Sequence, residues 1–361
     1  MNSISTSLLK LLLDDNKSWD QKEIDQLQYL SKKGPEFISI AYDNRVLLRA
    51  LTKIIPLVET TLWPEKDDFL SFLREKQNSG WERIRKNIAL AHSVQKAFEE
   101  AGVKSIAFKT MDNFPDMGRD IDLLIPDKEQ FLLAKKIMLR DFGWDPAKKL
   151  SFCDSVVGKT FYTKEQSFDI SVEIYPQHSQ LGETYMSDSN VVNRRVKINI
   201  EGYDFFVPTI EDRILIMAIH RIYRHAVLRI SDILNVSQLA TSDTLDWDSV
   251  VKQSIESGAW AGLHLFLSTI NNVYQQIVGE QLPIPFLKAT NMFQNNNSID
   301  MSLQDFPSKM PYIPTASVLM QKIGADFSNG RLMSGFTVSL MPILIGMTFI
   351  TYTFFKKNFI W

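Results

Sequence analysis

Apolar residues recur at helical spacing in SLLKLLL, in IDQLQYLSKKG, in VLLRALTKII and through DDFLSFLREKQNSGWERIRKNIALAHSVQKAFEEAG. These runs predict a helical region over residues 1–102, broken at Trp63-Pro64 and closed at Gly102, a residue suited to a helix C-cap. The period then shortens. VKSIAFK and RDIDLLIP read as strands on either side of the turn-rich TMDNFPDMG, and EQFLLAKKIMLRDFGW reads as an amphipathic helix ending near Gly143. TFYTKEQSFDISVEIYP supplies two further strands, and VKINIEGYDFFVP a hairpin turning at Glu201-Gly202. This β-α-β-β order predicts a compact mixed α/β unit with a single sheet over residues 103–208. Helical spacing returns from Thr209 and predicts a second helical region over 209–287. Residues 288–331 are polar, Asn-rich and Pro-punctuated, and read as a linker.

Leu332 to Phe355 is a run of 24 residues without a charge, bounded by Arg331 and by Lys356-Lys357. As a helix it is long enough for a hydrocarbon core of about 30 Å, so the pattern predicts a transmembrane helix over 332–355. Tyr352, Phe359 and Trp361 fit interfacial anchors. The fold expected from the whole pattern is α+β: a small mixed-sheet core, helical regions before and after it, and a single-pass C-terminal membrane anchor. The N-terminus has no basic leader ahead of its short apolar run, which argues against a secretory signal.

Composition narrows the function classes. Forty basic against 42 acidic residues give a net charge of −2, which argues against a nucleic-acid-wrapping protein and makes nucleic acid an unexpected partner. Cys153 is the sole cysteine, which excludes a disulfide framework and a thiolate zinc cluster and fits a cytoplasmic catalytic domain. The five histidines form no zinc-protease helix motif.

Chemistry concentrates in GRDIDLLIP. Asp120 and Asp122 are two apart on a predicted strand, so both carboxylates leave one face while Ile121 and Leu123 leave the other. Paired carboxylates repel unless a cation neutralises them, and oxygen-only ligands suit Mg²⁺ or Mn²⁺. Two-metal phosphoryl and nucleotidyl transfer uses such a pair. A third carboxylate is expected from SFDISVEIYP, where Asp169 and Glu173 share a face and either is placed to serve. Downstream, His220 with Arg224 and Arg221 with His225 are four apart on a predicted helix, and Arg229 lies a further turn along. Such a cluster suits an anion, because guanidinium forks phosphate; it equally suits a solvated basic face with pairs such as Arg229–Asp232.

IAFKTMDNFPDMGRDIDLLIP resembles the signature of an uncharacterised bacterial and archaeal nucleotidyltransferase family within the DNA-polymerase-beta-type superfamily: an apolar strand, Leu-Lys-Gly, about ten residues, then Asp-hydrophobic-Asp. The helical lead-in ending EEAG, the VEIYP strand and the segment HRIYRHAVLRISDI extend the likeness over roughly residues 5–280. The resemblance implies a polymerase-beta-like core, an NTP substrate, Mg²⁺ or Mn²⁺, and transfer of an NMP to an acceptor of unknown identity, associated with a membrane or cell surface if the anchor is real. It implies metal binding and catalysis by Asp120, Asp122 and Glu173, and it alone prefers Glu173 to Asp169. It implies a phosphate contact from Lys109 and favours a cleft-lining, phosphate-binding role for Arg224, His225 and Arg229, while the Thr110 hydroxyl is expected either to replace a nucleotide contact of the family glycine or to mark a degenerate site. Two positions depart from the family: Thr110 stands where glycine is expected, and Tyr175 where histidine is. Those departures motivate an alternative, a catalytically degenerate membrane-tethered protein that binds a nucleotide or a partner on the same fold.

Overall fold

The computed structural model describes residues 4–13, 29–60, 66–146, 160–163, 170–180, 183–287, 306–309, 312–332, 334–336 and 338–340. Among the described residues, α1 (Ile4–Leu13), α2 (Gly34–Asp43), α3 (Leu47–Thr60) and the long α4 (Lys66–Glu100) precede the sheet. Helix α4 ends where the sequence marks it. Gly102 adopts φ +78, its N–H donates to the Glu99 carbonyl, and the Val103 N–H donates back to the Phe98 carbonyl. Only a residue without a Cβ takes that left-handed turn at no cost, and it launches the chain directly into the sheet.

The main sheet has the order β1-β2-β5-β4-β3, from β1 (Ile106–Ala107), β2 (Asp120–Leu124), β3 (Asp145–Pro146), β4 (Thr160–Thr163) and β5 (Ser171–Tyr175). Strands β2 and β5 run parallel at its centre and the remaining pairs are antiparallel. A parallel pair needs a crossover, supplied here partly by α5 (Lys128–Arg140). Asp127 caps α5 by accepting the Gln130 N–H, and Phe131, Ala134, Ile137 and Met138 bury one face of it.

The sheet divides its two faces by parity. Ile121, Leu123, Val172 and Ile174 enter the large core shared with the N-terminal helices and with the C-terminal helices. Leu124 and Tyr175 join Ile106, Phe108, Val191, Val192 and Ile216 in a smaller cluster on the opposite face. Asp120, Asp122 and Glu173 have the parity of that second face.

The hairpin expected at Glu201-Gly202 is present as β8 (Val196–Ile200) and β9 (Tyr203–Val207), with both turn residues at positive φ. It does not extend the main sheet, and the expectation of a single sheet is corrected accordingly. Two short strands, β6 (Ser179–Gln180) and β7 (Glu183–Thr184), make another separate pair, and α6 (Asp188–Asn193) follows them. The reason lies in α4. The buried amide of Gln95 accepts the Phe206 N–H at 2.9 Å and donates to the Phe206 carbonyl at 3.0 Å, satisfying an edge that would otherwise seek a strand.

The stretch read as continuous helix from residue 210 is interrupted. Helix α7 (Ile210–Ile219) runs into a single π-helical turn, His220–His225, which stops at Ala226 with φ +48. A two-residue strand β10 (Val227–Leu228) pairs with β11 (Ser308–Lys309) before α8 (Ile230–Ala240) begins. Helices α9 (Trp247–Glu256) and α10 (Trp260–Val278) follow. Part of the presumed linker is also folded: Tyr312–Ser328 forms α11, with Lys322 and Asp326 fully buried and ion-paired at i,i+4.

The membrane anchor is not supported. Among the described residues no helix is long and apolar enough to cross a membrane. The described start of the apolar run is instead committed to the protein. The Ser334 hydroxyl donates to the buried Asp326 carboxylate at 2.7 Å, Val338 is fully buried, and a Cβ on Gly335 would lie 3.1 Å from the Phe327 ring. A segment that spends its polar and apolar groups on its own fold does not present them to lipid. Residues 341–361 lie outside the described residues.

Candidate active site

Parallel pairing of β2 with β5 sets Asp120 opposite Ser171 and Asp122 opposite Glu173, so the three carboxylates occupy one face at adjacent register positions. Each has a local partner. Asp120 is exposed and accepts the Ser171 hydroxyl at 2.8 Å; Glu173 is buried and accepts the hydroxyl of Tyr175; Asp122 lies 3.9 Å from the Lys109 ammonium. Burial first, then the charges of Asp122 and Glu173, push the Tyr175 phenol well above its usual range, so it stays a donor to Glu173. Asp169 lies outside the described residues.

Lys109 sits in a strained turn. The Thr110 N–H donates to the Phe108 carbonyl at 2.8 Å with Lys109 at φ +64, a γ-turn geometry that costs a non-glycine residue on the order of 1–3 kcal/mol. The turn aims the ammonium inward, 4.3 Å from the Phe108 ring centre and 4.9 Å from that of Tyr175. It is 14% exposed, which excludes a strand-end lysine reaching into solvent. Thr110, at the family's glycine position, has an ordinary φ of −65, and its buried hydroxyl accepts the Asp122 N–H at 2.8 Å. That hydroxyl therefore ties the Lys109 turn to the acidic strand. Replacing Thr110 by Val is expected to cost about 1–3 kcal/mol of stability through the lost acceptor, with Thr110→Ser near wild type, as read by urea unfolding. Equal stability of all three would remove this role.

The loop 111–119 is held from three sides. Asp112 pairs with Arg213 of α7 at 2.6 Å, Asn113 accepts from Asn235 of α8 at 3.1 Å, and Asp116 accepts from the backbone N–H groups of Leu48 and Arg49 at the start of α3. Burial pushes the Asp116 carboxyl up, against the pull of Arg49 and those two N–H groups.

Opposite the acids stands a basic wall. In the π-helical turn the His220 and His225 rings stack edge to face at 4.5 Å, five residues apart, which replaces the four-residue pairing an α-helix would impose. Arg221 is buried and bonds Asp232 at 2.8 Å. The Asp232 carboxylate also accepts the Arg229 N–H at 2.8 Å at the start of α8, so it holds the Arg221 side chain and the Arg229 backbone together. Burial, then Arg221 and Arg45, lowers the Arg229 guanidinium to about 10, and its buried Nε has no hydrogen-bond partner. Desolvation, then Lys109 and Arg221, holds His220 well below the usual imidazole range, so it remains neutral. Arg45 is a contribution from the N-terminal helices. It projects from the α2–α3 turn at φ +57 onto Gly118, where a Cβ would lie 2.3 Å from its Nη1.

Acids and bases face each other across one cleft of about 310 Å³. Lys109, Thr110, Asp120, Asp122, Glu173, Arg224, His225 and Arg229, all singled out from sequence, line it together. Arg45, Asp112, Asn113 and Asn235 line it too and were not foreseen. Asp43-Asn44 marks a turn before Arg45, but nothing in the sequence tells where that turn points.

A family model described as an uncharacterised nucleotidyltransferase matches residues 67–275, more than half of the chain. The chain belongs to that nucleotidyltransferase family. No curated protein and no solved structure matches it. The matched span runs from the start of α4 to near the end of α10, so it takes in the sheet, the acidic strands and the basic wall. Arg45 lies outside it. Nucleotidyltransferases generally use an NTP and a divalent metal, and this member's donor set is of the right chemistry: hard carboxylate oxygens on one sheet face. Among the described residues, however, no three acidic, histidine or cysteine side chains converge as a ready-made metal shell. The Ser171 hydroxyl bonds the Asp120 carboxylate and the Tyr175 hydroxyl that of Glu173.

Proposed function

We propose that this protein transfers a nucleoside monophosphate from an NTP to an acceptor in the cleft between β2, β5 and the His220–His225 turn. The observation that carries the reading is the opposition, within one cleft, of the Asp120/Asp122/Glu173 face and a wall of Lys109, Arg224 and Arg229. Asp120 and Asp122 would hold a divalent cation, with Glu173 beside Asp122 in register completing the set once Tyr175 yields it. When bound, the metal supplies charge stabilisation at the reacting phosphate. Lys109, aimed by its strained turn, and the guanidinium groups steady the β- and γ-phosphates, where fixed cations are worth most because the site is partly desolvated. Glu173 accepts the proton of the acceptor hydroxyl. Thr110 orients the turn through Asp122 in place of the family glycine.

The test is to incubate the purified full-length chain with each of the four NTPs, labelled at the α-phosphate, and Mg²⁺ or Mn²⁺ in a cell extract depleted of macromolecular nucleotidyltransferases. Transfer of label with release of pyrophosphate is the expected outcome. Absence of transfer with all four NTPs under both metals would overturn it.

One observation favours a second reading, nucleotide binding without turnover. The Tyr175 hydroxyl engages the carboxylate that would complete the metal set. Calorimetry separates the two: nucleotide affinity independent of Mg²⁺, without turnover, belongs to the second reading. If Tyr175 restrains Glu173, Tyr175→Phe is expected to raise metal-dependent nucleotide affinity.

A further inference from the structure

One side of the cleft carries a hydrogen-bond relay whose direction is fixed from its far end. Arg49 of α3 is held by three acceptors. Its Nε donates to Asp116 at 3.1 Å, its Nη2 to the Arg45 carbonyl at 2.8 Å, and its Nη1 to Asn235 Oδ1 at 3.0 Å. A guanidinium only donates, so the end of the Asn235 amide that meets it is the oxygen. The Asn235 nitrogen is thereby turned the other way and donates to Asn113 Oδ1 at 3.1 Å. The Asn113 oxygen being engaged, its NH₂ group is the end left to offer, and nothing among the described residues accepts from it. Asn113 closes the single 3₁₀ turn Met111–Asn113, and both it and Asp112 line the cleft. Arg213 of α7 bonds one Asp112 oxygen at 2.6 Å, and no donor among the described residues bonds the other. Met217 lies four residues on from Arg213, on the same face of α7, and adds an apolar side chain to this corner. A carboxylate beside the amide repels a phosphate, which the cations of the basic wall suit better. A neutral heterocycle suits the corner of Asp112, Asn113 and Met217.

We propose that Asn113 and Asp112 read the base of the NTP and select one with a carbonyl next to a ring N–H, as in guanine and uracil. The inference rests on the nucleotidyl-transfer reading above. The Asn113 NH₂ donates to the keto oxygen, and the second Asp112 oxygen accepts the ring N–H. Adenine and cytosine present the reverse order, an amino group next to a bare ring nitrogen. Their amino group meets the Asn113 NH₂ donor to donor, and their ring nitrogen meets the carboxylate acceptor to acceptor. A site built to hydrogen-bond one polar edge rejects the mismatched one strongly, because its own groups are then left unpaired. Arg49 and Asn235 act through Asn113 and are positioning residues: they set which end of its amide faces the cleft. Arg49 lies outside the span matched by the family model, so the N-terminal helices would bear on the choice of nucleotide.

The experiment titrates the full-length chain, with Mg²⁺, against the α,β-methylene analogues of UTP, GTP, CTP and ATP by calorimetry. The uridine and guanosine analogues are expected to bind about tenfold or more tightly than the other two. Asn235→Asp turns the relay round. Its carboxylate accepts from Arg49 with one oxygen and from the Asn113 NH₂ with the other, which leaves the Asn113 oxygen facing the cleft. The keto preference is then expected to collapse, with the adenosine and cytidine analogues gaining affinity; a purely structural role of Asn235 would weaken all four alike. Asn113→Ala, at a half-buried position, is the second variant and should weaken only the uridine and guanosine analogues. Equal binding of the four analogues to the wild type, or a preference for adenosine and cytidine, would overturn the base assignment alone. So would a keto preference that survives in Asn113→Ala, or a uniform loss in Asn235→Asp. If none of the four analogues binds the wild type, it is the nucleotidyl-transfer reading that falls, and this inference with it.

Discussion

Asp122→Asn, alone or combined with Asp120→Asn, is expected to lower NTP-dependent label transfer by about 10³-fold. Metal-borne charge stabilisation is worth several kcal/mol at the transition state, and each 1.36 kcal/mol is a factor of ten in rate. The substitution keeps the shape of the side chain and the Asp122 backbone N–H that donates to Thr110, so the fold should be retained. Asp122 also lies 3.9 Å from the Lys109 ammonium, so the substitution removes one charge that faces it beside the Phe108 and Tyr175 rings. Label transfer is measured with the wild-type unfolding midpoint as the control for structure. Transfer that continues at the wild-type rate in the double variant would sink the assignment of these residues, whatever the identity of the acceptor.

The largest expected effect on stability comes from Asp232→Ala. Asp232 is 2% exposed and holds two groups at 2.8 Å, the guanidinium of Arg221 and the N–H of Arg229. Its truncation strands the buried Arg221 charge among Arg224, Arg229 and Arg45 and removes the acceptor of the Arg229 N–H at the start of α8. Breaking a buried ion pair from one side typically costs about 3–5 kcal/mol, because the remaining charge stays desolvated without compensation. Chemical denaturation reads it as a shift of the midpoint at unchanged slope. Asp232→Asn keeps an acceptor for the Arg229 N–H and should fall between wild type and Ala. A wild-type midpoint for Asp232→Ala would show that Arg221 finds water or another partner, and that the pair does not hold the π-helical turn in place.

The two effects bear on different sides of the same cleft, and they were unequally legible. Asp120 and Asp122 stand out because strand alternation is a local rule: residues two apart share a face whatever surrounds them. The same rule makes Glu173 and Asp169 equivalent on their strand, and only the likeness to relatives favours one. The basic cluster was legible as a set of residues and not as a geometry. A repeat of four is right for an α-helix, whereas the chain makes a π turn at His220–His225, stacks residues five apart and ends at Ala226. Whether a turn widens in this way depends on what packs against it, here Tyr185 on Tyr223, and α8 through Asp232. The apolar run after Arg331 misled for a similar reason. Hydropathy counts apolar residues and does not register that Ser334 and Gly335, at the described start of the run, pack on Asp326 and Phe327.

By itself the sequence determined the order of helical and strand-forming segments, the Gly102 and Glu201-Gly202 turns, the acidic pair on β2 and the inventory of cations around it. These follow from short-range periodicity and from residues whose backbone preferences are intrinsic. Tertiary structure alone decided that Asp122 faces Glu173 across a parallel pair, that Lys109 is strained inward, and that Thr110 serves the acidic strand. It also decided that Arg45 reaches the cleft from helices outside the matched span. Each is a contact between residues far apart in the chain, fixed by packing and register, and no local pattern encodes which distant surface a side chain will meet.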